Sequence, residues 1–202
     1  MQKMMQEQPS TWKKLTSDKT LIHNLMMMII VWTAASFIFF LFGFLVKYMP
    51  GDIYFNSVIS GLSAIAMLTE GKIEHWFGVK GGITWSYLVG VIAIIGLCFF
   101  DKGTSQILLF ACVLLIAKSV ISLAFGLAYA IHIELFPSNF LISSYGICNF
   151  FCRGLTIVAP LIAEVENPMI PNVSMVVLAF LGFVAAFSLR KRREEDAIEG
   201  LK

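Results

Sequence analysis

Charge is what this chain has least of. Of its 202 residues only 14% are Asp, Glu, Lys or Arg, little more than half the roughly 25% usual in soluble domains. Acids are absent from every long apolar run, proline numbers six, and the formal net charge is only +2. That balance excludes a basic nucleic-acid binder and leaves the placement of charges as the informative quantity. Cysteine is scarce too, at four. Cys98, Cys112, Cys148 and Cys152 all fall inside apolar runs, and no second pair or histidine set completes a metal site, so no cofactor is expected. They read as small residues buried between helices. There is no His-Glu-x-x-His, no Gly-x-Ser-x-Gly and no Asp pair within an apolar run, so the chain is not read as an enzyme. Met1–Thr20 is polar, which predicts no cleavable signal peptide.

What the chain has in abundance is apolar. It is 58% hydrophobic with 18 Phe, and its mean hydropathy is +0.81. Six runs approach the roughly 20 residues that hydrocarbon requires: Leu21–Val46, Ile53–Thr69, Gly81–Phe100, Gln106–Ile131, Phe140–Ala163 and Asn172–Leu189. None alternates like a strand, and backbone in lipid must satisfy its own hydrogen bonds, so all six are predicted helices. The fold class is therefore an all-α polytopic membrane protein, with a tail over 1–20, a transmembrane unit over 21–189 and a charged tail over 190–202. Ser57, Gly61 and Ala64 in the second run, and Gly126 and Ala130 in the fourth, are small residues at helical spacing, predicted to suit close helix contact.

Six crossings put both ends on one side. That side carries Lys3, Lys13, Lys14, Lys19, Lys72, Lys80, Arg190, Lys191, Arg192, Arg193 and Lys202, eleven bases against only Lys47 and Lys102 opposite. The positive-inside rule then makes both termini cytoplasmic. Without the short second run, Lys72 and Lys80 would fall on the wrong side.

The two remaining bases are Lys118, near the middle of the fourth run, and Arg153, near the middle of the fifth. A cation at the bilayer centre costs about 2.5–3.5 kcal/mol on insertion scales. With no acid at their depth, they imply a water-filled cavity, an anionic ligand, or an acid from another chain. Ser122, Phe125 and Tyr129 follow Lys118 at helical spacing, so one stripe is cationic, hydroxylic and aromatic. Asn149, Thr156 and Pro160 share the face of Arg153, and the first run adds Trp32, Ser36, Phe39 and Phe40. Aromatic stripes alone more often mean ordinary helix packing; the two cations favour a binding face. His23, His75 and His132 sit near run ends and read as interfacial.

Several strings resemble organic ion transporters of the major facilitator superfamily. The stretch from Pro50 to Leu62 resembles that family's junction between its seventh and eighth helices. Glu134-Leu135-Phe136-Pro137-Ser138 is similar to its Glu-Leu-Tyr-Pro-Thr string, and Ala159-Pro160-Leu161 to the Ala-Pro-Leu of its eleventh helix. Lys118 falls where the family often has Lys or Arg. Arg153 falls where anion-transporting members carry Arg and cation-transporting members carry Asp. Phe39, Phe40 and Phe125 match cavity-lining aromatics. His75-Trp76-Phe77-Gly78-Val79-Lys80 departs from the Asp-Arg-x-Gly-Arg-Arg motif, keeping only the glycine and the last base. Ala64, Ala66 and Leu141 replace an acid, a proline and an arginine.

The resemblance covers nearly the whole chain, as the C-terminal six-helix half of that fold. It implies a secondary carrier of small organic ions, anions in view of Arg153, in a plasma membrane rather than an organelle. Alternating access in such carriers works between two six-helix halves. The partners implied are the lipid bilayer, the organic ion, and a missing N-terminal half, a partner chain or a second copy; no nucleic acid is implied. The substrate-binding residues would be Arg153, Lys118, Phe39, Phe40, Phe125 and Tyr129. The alternative is a non-transporting membrane scaffold or regulatory subunit that retains the fold.

Overall fold

The computed structural model describes residues 19–100, 106–167 and 169–190. Most of the two expected cytoplasmic tails, together with Asp101 and Lys102, lies outside the described residues. Regular structure among the described residues is helical throughout. Helix α1 (Lys19–Leu45) ends in a 3-10 turn, Val46–Tyr48. Helix α2 (Ile53–Leu62) passes through a 3-10 segment, Ser63–Thr69, into α3 (Glu70–Leu97). Then follow α4 (Ile107–Leu135), α5 (Ser138–Thr156), the short α6 (Ala159–Ala163) and α7 (Met169–Ser188). Five helical stretches are long and apolar enough to cross a membrane: Lys19–Tyr48, Ile53–Leu97, Ile107–Leu135, Ser138–Ala163 and Met169–Ser188. This is the architecture of an all-α membrane protein.

The second and third apolar runs of the sequence are thus joined in one stretch of 45 residues. Straight, it would be about 68 Å long, more than twice a hydrocarbon core of roughly 30 Å. It is not straight. Gly51 meets Ile107, Ser60 meets Lys118 and Glu70 meets Gly126, so this part runs parallel to α4. Beyond the bend, Gly82 meets Leu127, Gly90 meets Ile121 and Gly96 meets Val113, so the chain now runs antiparallel to α4. The reversal centres on Gly78, at φ 69° and ψ 160°, a backbone region open essentially only to glycine.

The other boundaries follow from local chemistry. Asp52 caps α2, accepting from the backbone N–H of Tyr54 at 2.6 Å and of Phe55 at 3.1 Å, which supplies two of the donors a helix start leaves free. Helix α4 stops because Phe136 precedes Pro137 and is held extended, at φ −111° and ψ 135°. Pro160 has no N–H to give to the carbonyl of Thr156, and there the helix divides into α5 and α6.

Packing is polar inward and apolar outward in places, the reverse of a soluble helix. On α2 the buried residues are Asn56 and Ile59, while Val58 and Leu62 are exposed. Lipid as solvent makes that arrangement favourable. It also corrects the expected contact face: Ser57, Gly61 and Ala64 are all exposed, and nothing lies within 4 Å of a methyl placed on Gly61. The prediction misassigned the face because small residues were weighed without the polar row opposite them. In contrast, Gly126 is buried and admits the Glu70 carboxylate.

Cys148 and Cys152 are buried as expected, but Cys98 and Cys112 are exposed among the described residues. His132, near the end of α4, is fully buried, because Ser144 and Tyr145 of α5 fold back over it.

The first and last described residues share one end of the bundle. Asn24 donates to the carbonyl of Arg190 at 2.9 Å and accepts from its N–H at 3.0 Å. His23 lies 3.1 Å from the Ser188 carbonyl, and Lys80 donates to Leu189 O at 2.5 Å. Deeper in, the buried Tyr87 hydroxyl donates to Val31 O at 2.6 Å.

Candidate functional site: a cationic aromatic face

All six sequence-predicted binding residues meet in one connected group. Lys118, on α4, is buried, and its ammonium donates to Ser60 Oγ, carried in on the inward face beyond α2's Asn56. The same ammonium stands 5.7 Å from the ring centre of Phe39 on α1. Phe39 meets Phe40 edge to face at 5.6 Å, and the guanidinium of Arg153 on α5 stands 5.9 Å from the Phe40 ring centre. Two cations from separate helices therefore lean on the two members of one phenylalanine pair.

The aromatic group continues along α4. Phe125 stacks on Phe39 at 6.0 Å, with 16° between their planes, and Tyr129 meets Phe125 at 5.5 Å. Tyr129 in turn lies 4.5 Å from Trp32. Arg153 and Tyr129 are exposed, while Phe39, Phe40 and Phe125 are partly so. The face is consequently open along one side and floored by rings.

Magnitudes decide what this face can hold. A cation on a ring recovers about 0.5–2 kcal/mol, and a hydroxyl acceptor about 1 kcal/mol more. Those gains offset the mid-membrane cost of a cation without cancelling its charge. Among the described residues the ion pair recorded is Lys47 with Glu164, so neither Lys118 nor Arg153 is neutralised there. A cationic face floored by rings is chemically suited to an anion with an apolar body. The guanidinium can grip a carboxylate through two parallel hydrogen bonds, and the rings supply the apolar contact. Among the described residues no group of three or more potential ligands could hold a metal ion.

Four participants were not singled out from sequence. Ser60 holds Lys118. Tyr145 lies 5.4 Å from Trp32 and stacks on His132 at 4.1 Å. His132 also bonds Ser144 through Nε2 at 2.7 Å. Its Nδ1, Trp32 Nε1 and Ser122 Oγ are buried without a hydrogen-bond partner. The signal for His132 was present: it continues the series 118, 122, 125, 129 by one more helical step. Asn149 and Thr156, expected on the face, use their side chains locally. Asn149 donates to Tyr145 O at 3.1 Å, and Thr156 donates to Cys152 O at 2.7 Å while contacting Ser36 Oγ at 3.3 Å.

No protein-family model matches the chain. Over 141 residues, 67% of its length, it is 31% identical to a Caenorhabditis elegans protein named "Putative transporter svop-1". The chain spans about a quarter of that relative, 26% of its length.

Proposed function

We propose that this chain is the C-terminal six-helix half of a secondary transporter of the major facilitator type, moving small organic anions by alternating access. The likeness to the Caenorhabditis elegans protein named "Putative transporter svop-1" supports a transport role. The reversal at Gly78 supports six crossings instead of five, with the ends on one side, cytoplasmic by the charge count. The single observation that carries anion selectivity is the pair of cations, Lys118 and Arg153, standing on Phe39 and Phe40 with no acid among the described residues bonded to either. In this reading Arg153 grips the carboxylate or sulfonate, Lys118 sets the potential, and the rings from Phe40 to Tyr129 hold the apolar part. No bond is made or broken in the cargo, so the protein is a carrier and not an enzyme.

A second six-helix half, partner chain or second copy closes the open side of the face. Uptake of a labelled aromatic carboxylate into vesicles carrying the complete transporter is the direct test. Preference for organic cations there would overturn the reading. The 202-residue chain, purified as a monomer and placed in liposomes, should not transport; saturable uptake by monomers would refute the half-carrier assignment. A cysteine placed near Asp101 should label from outside the cell, and labelling only after permeabilisation would reverse the orientation.

A further inference from the structure

A separate cavity of about 400 Å³ opens at the end of the bundle away from Asn24 and Arg190. Its size falls in the range of small-molecule sites, roughly 300–1,000 Å³. Phe42, Phe100, Phe110 and Met175 form part of its apolar wall, and Glu164 and Glu166 stand over it. No lysine or arginine is among the described residues that line it. The two carboxylates are not equivalent. Glu164 accepts from Lys47 Nζ and from the Tyr48 hydroxyl, each at 2.5 Å, which ties the end of α1 to the end of α6. Glu166 has no ion pair among the described residues. The arrangement is an apolar chamber lined also by one carboxylate paired with Lys47 and one with no ion pair among the described residues.

We infer that this cavity is a second binding site, distinct from the central face, for a lipophilic ammonium whose charged head pairs with Glu166 and whose body lies against Phe42, Phe100 and Phe110. Rings at the wall favour the same ligand, since an ammonium is attracted to an aromatic face where an anion is repelled. Occupancy would brace the ends of α1, α4 and α7 against one another, so a ligand here acts on the bundle and not as cargo. The inference does not rest on the transport reading, because binding is measurable whether or not the chain carries anything.

The test is thermal unfolding of the purified 202-residue chain in detergent, titrated with phenylbutylammonium and, in parallel, with neutral phenylbutanol. The ammonium should raise the midpoint saturably and bind at least tenfold tighter than the alcohol. Glu166→Gln, at an exposed position outside every helix, should remove that tenfold preference. Asn172→Phe, which fills the cavity from its wall, should abolish binding of both compounds. Equal affinity for ammonium and alcohol, an unchanged preference in Glu166→Gln, or no stabilisation by the ammonium would each overturn the inference.

Discussion

In the middle of the bundle Lys118 and Arg153 lean on Phe39 and Phe40; at the end away from Asn24 and Arg190, Glu164 and Glu166 stand over Phe42, Phe100 and Phe110. Both regions combine aromatic walls with charge, yet they treat the charge differently. At the end, Lys47 and Tyr48 meet Glu164 directly. In the middle, where desolvation is most costly, the partners of the cations among the described residues are rings and one serine hydroxyl. A charge held where it is expensive, with no counter-charge among the described residues, is the kind that the proposed anion or partner would compensate. A charge paired at an exposed end is ordinary surface chemistry worth little.

The strongest way to break that comparison is Arg153→Ala. Uptake of an aromatic carboxylate should fall to background while expression and membrane insertion are retained, and Arg153→Asp should shift preference towards organic cations. Radiotracer uptake beside surface labelling separates transport from folding. Unchanged anion uptake would mean that Arg153 merely faces lipid or a partner.

Lys118→Met is the next largest. Loss of one charge-assisted contact predicts about a tenfold fall in apparent affinity, with Lys118→Arg recovering part of it. A purely structural lysine would instead lower the amount of protein and leave affinity alone.

Ser60→Ala leaves the cation in place and removes its hydroxyl partner. A shift of about fivefold or less is expected, read as KM at constant protein level. A loss as large as that of Lys118→Met would make Ser60, and not the charge, the important element.

At the far end, Glu164→Gln should have the smallest effect, about a degree or two in the unfolding midpoint at neutral pH. The hydrogen bonds from Lys47 and Tyr48 hold the Glu164 carboxyl below its ordinary value of 4.5. A depressed folded-state value means its contribution is fully present above that ordinary value and is lost as pH falls through the folded one. Wild type and Glu164→Gln should therefore converge in stability as pH falls below 4.5 and on through the depressed folded value. Divergence on acidification would contradict the pairing.

Much of the architecture was legible because membrane physics constrains it so tightly. Runs of apolar residues must be helices; the breaks at Pro137 and Pro160 and the cap at Asp52 came from the structure, since the sequence pattern carried the fifth run straight through Pro160. The stripe from Lys118 to Tyr129 was legible because helical spacing alone puts those residues on one face. The contact face of α2 was not, since a helix with small residues on one side and Asn56, Ser60 and Ser63 on the other offers two plausible interiors. Only its neighbour decided between them. The same limit applied to His132, which lies near a helix end in sequence and under α5 in space.

The amino-acid sequence by itself determined the helical membrane class and the presence of two mid-run cations with no acid in their runs, because each follows from local covalent or solvation chemistry. Only the tertiary structure decided that Phe39 and Phe40 join those cations, that Ser60 holds Lys118, and that Glu164 is paired with Lys47. Those are contacts between helices distant in the chain, and their partners are chosen by how the helices cross, which no local pattern encodes.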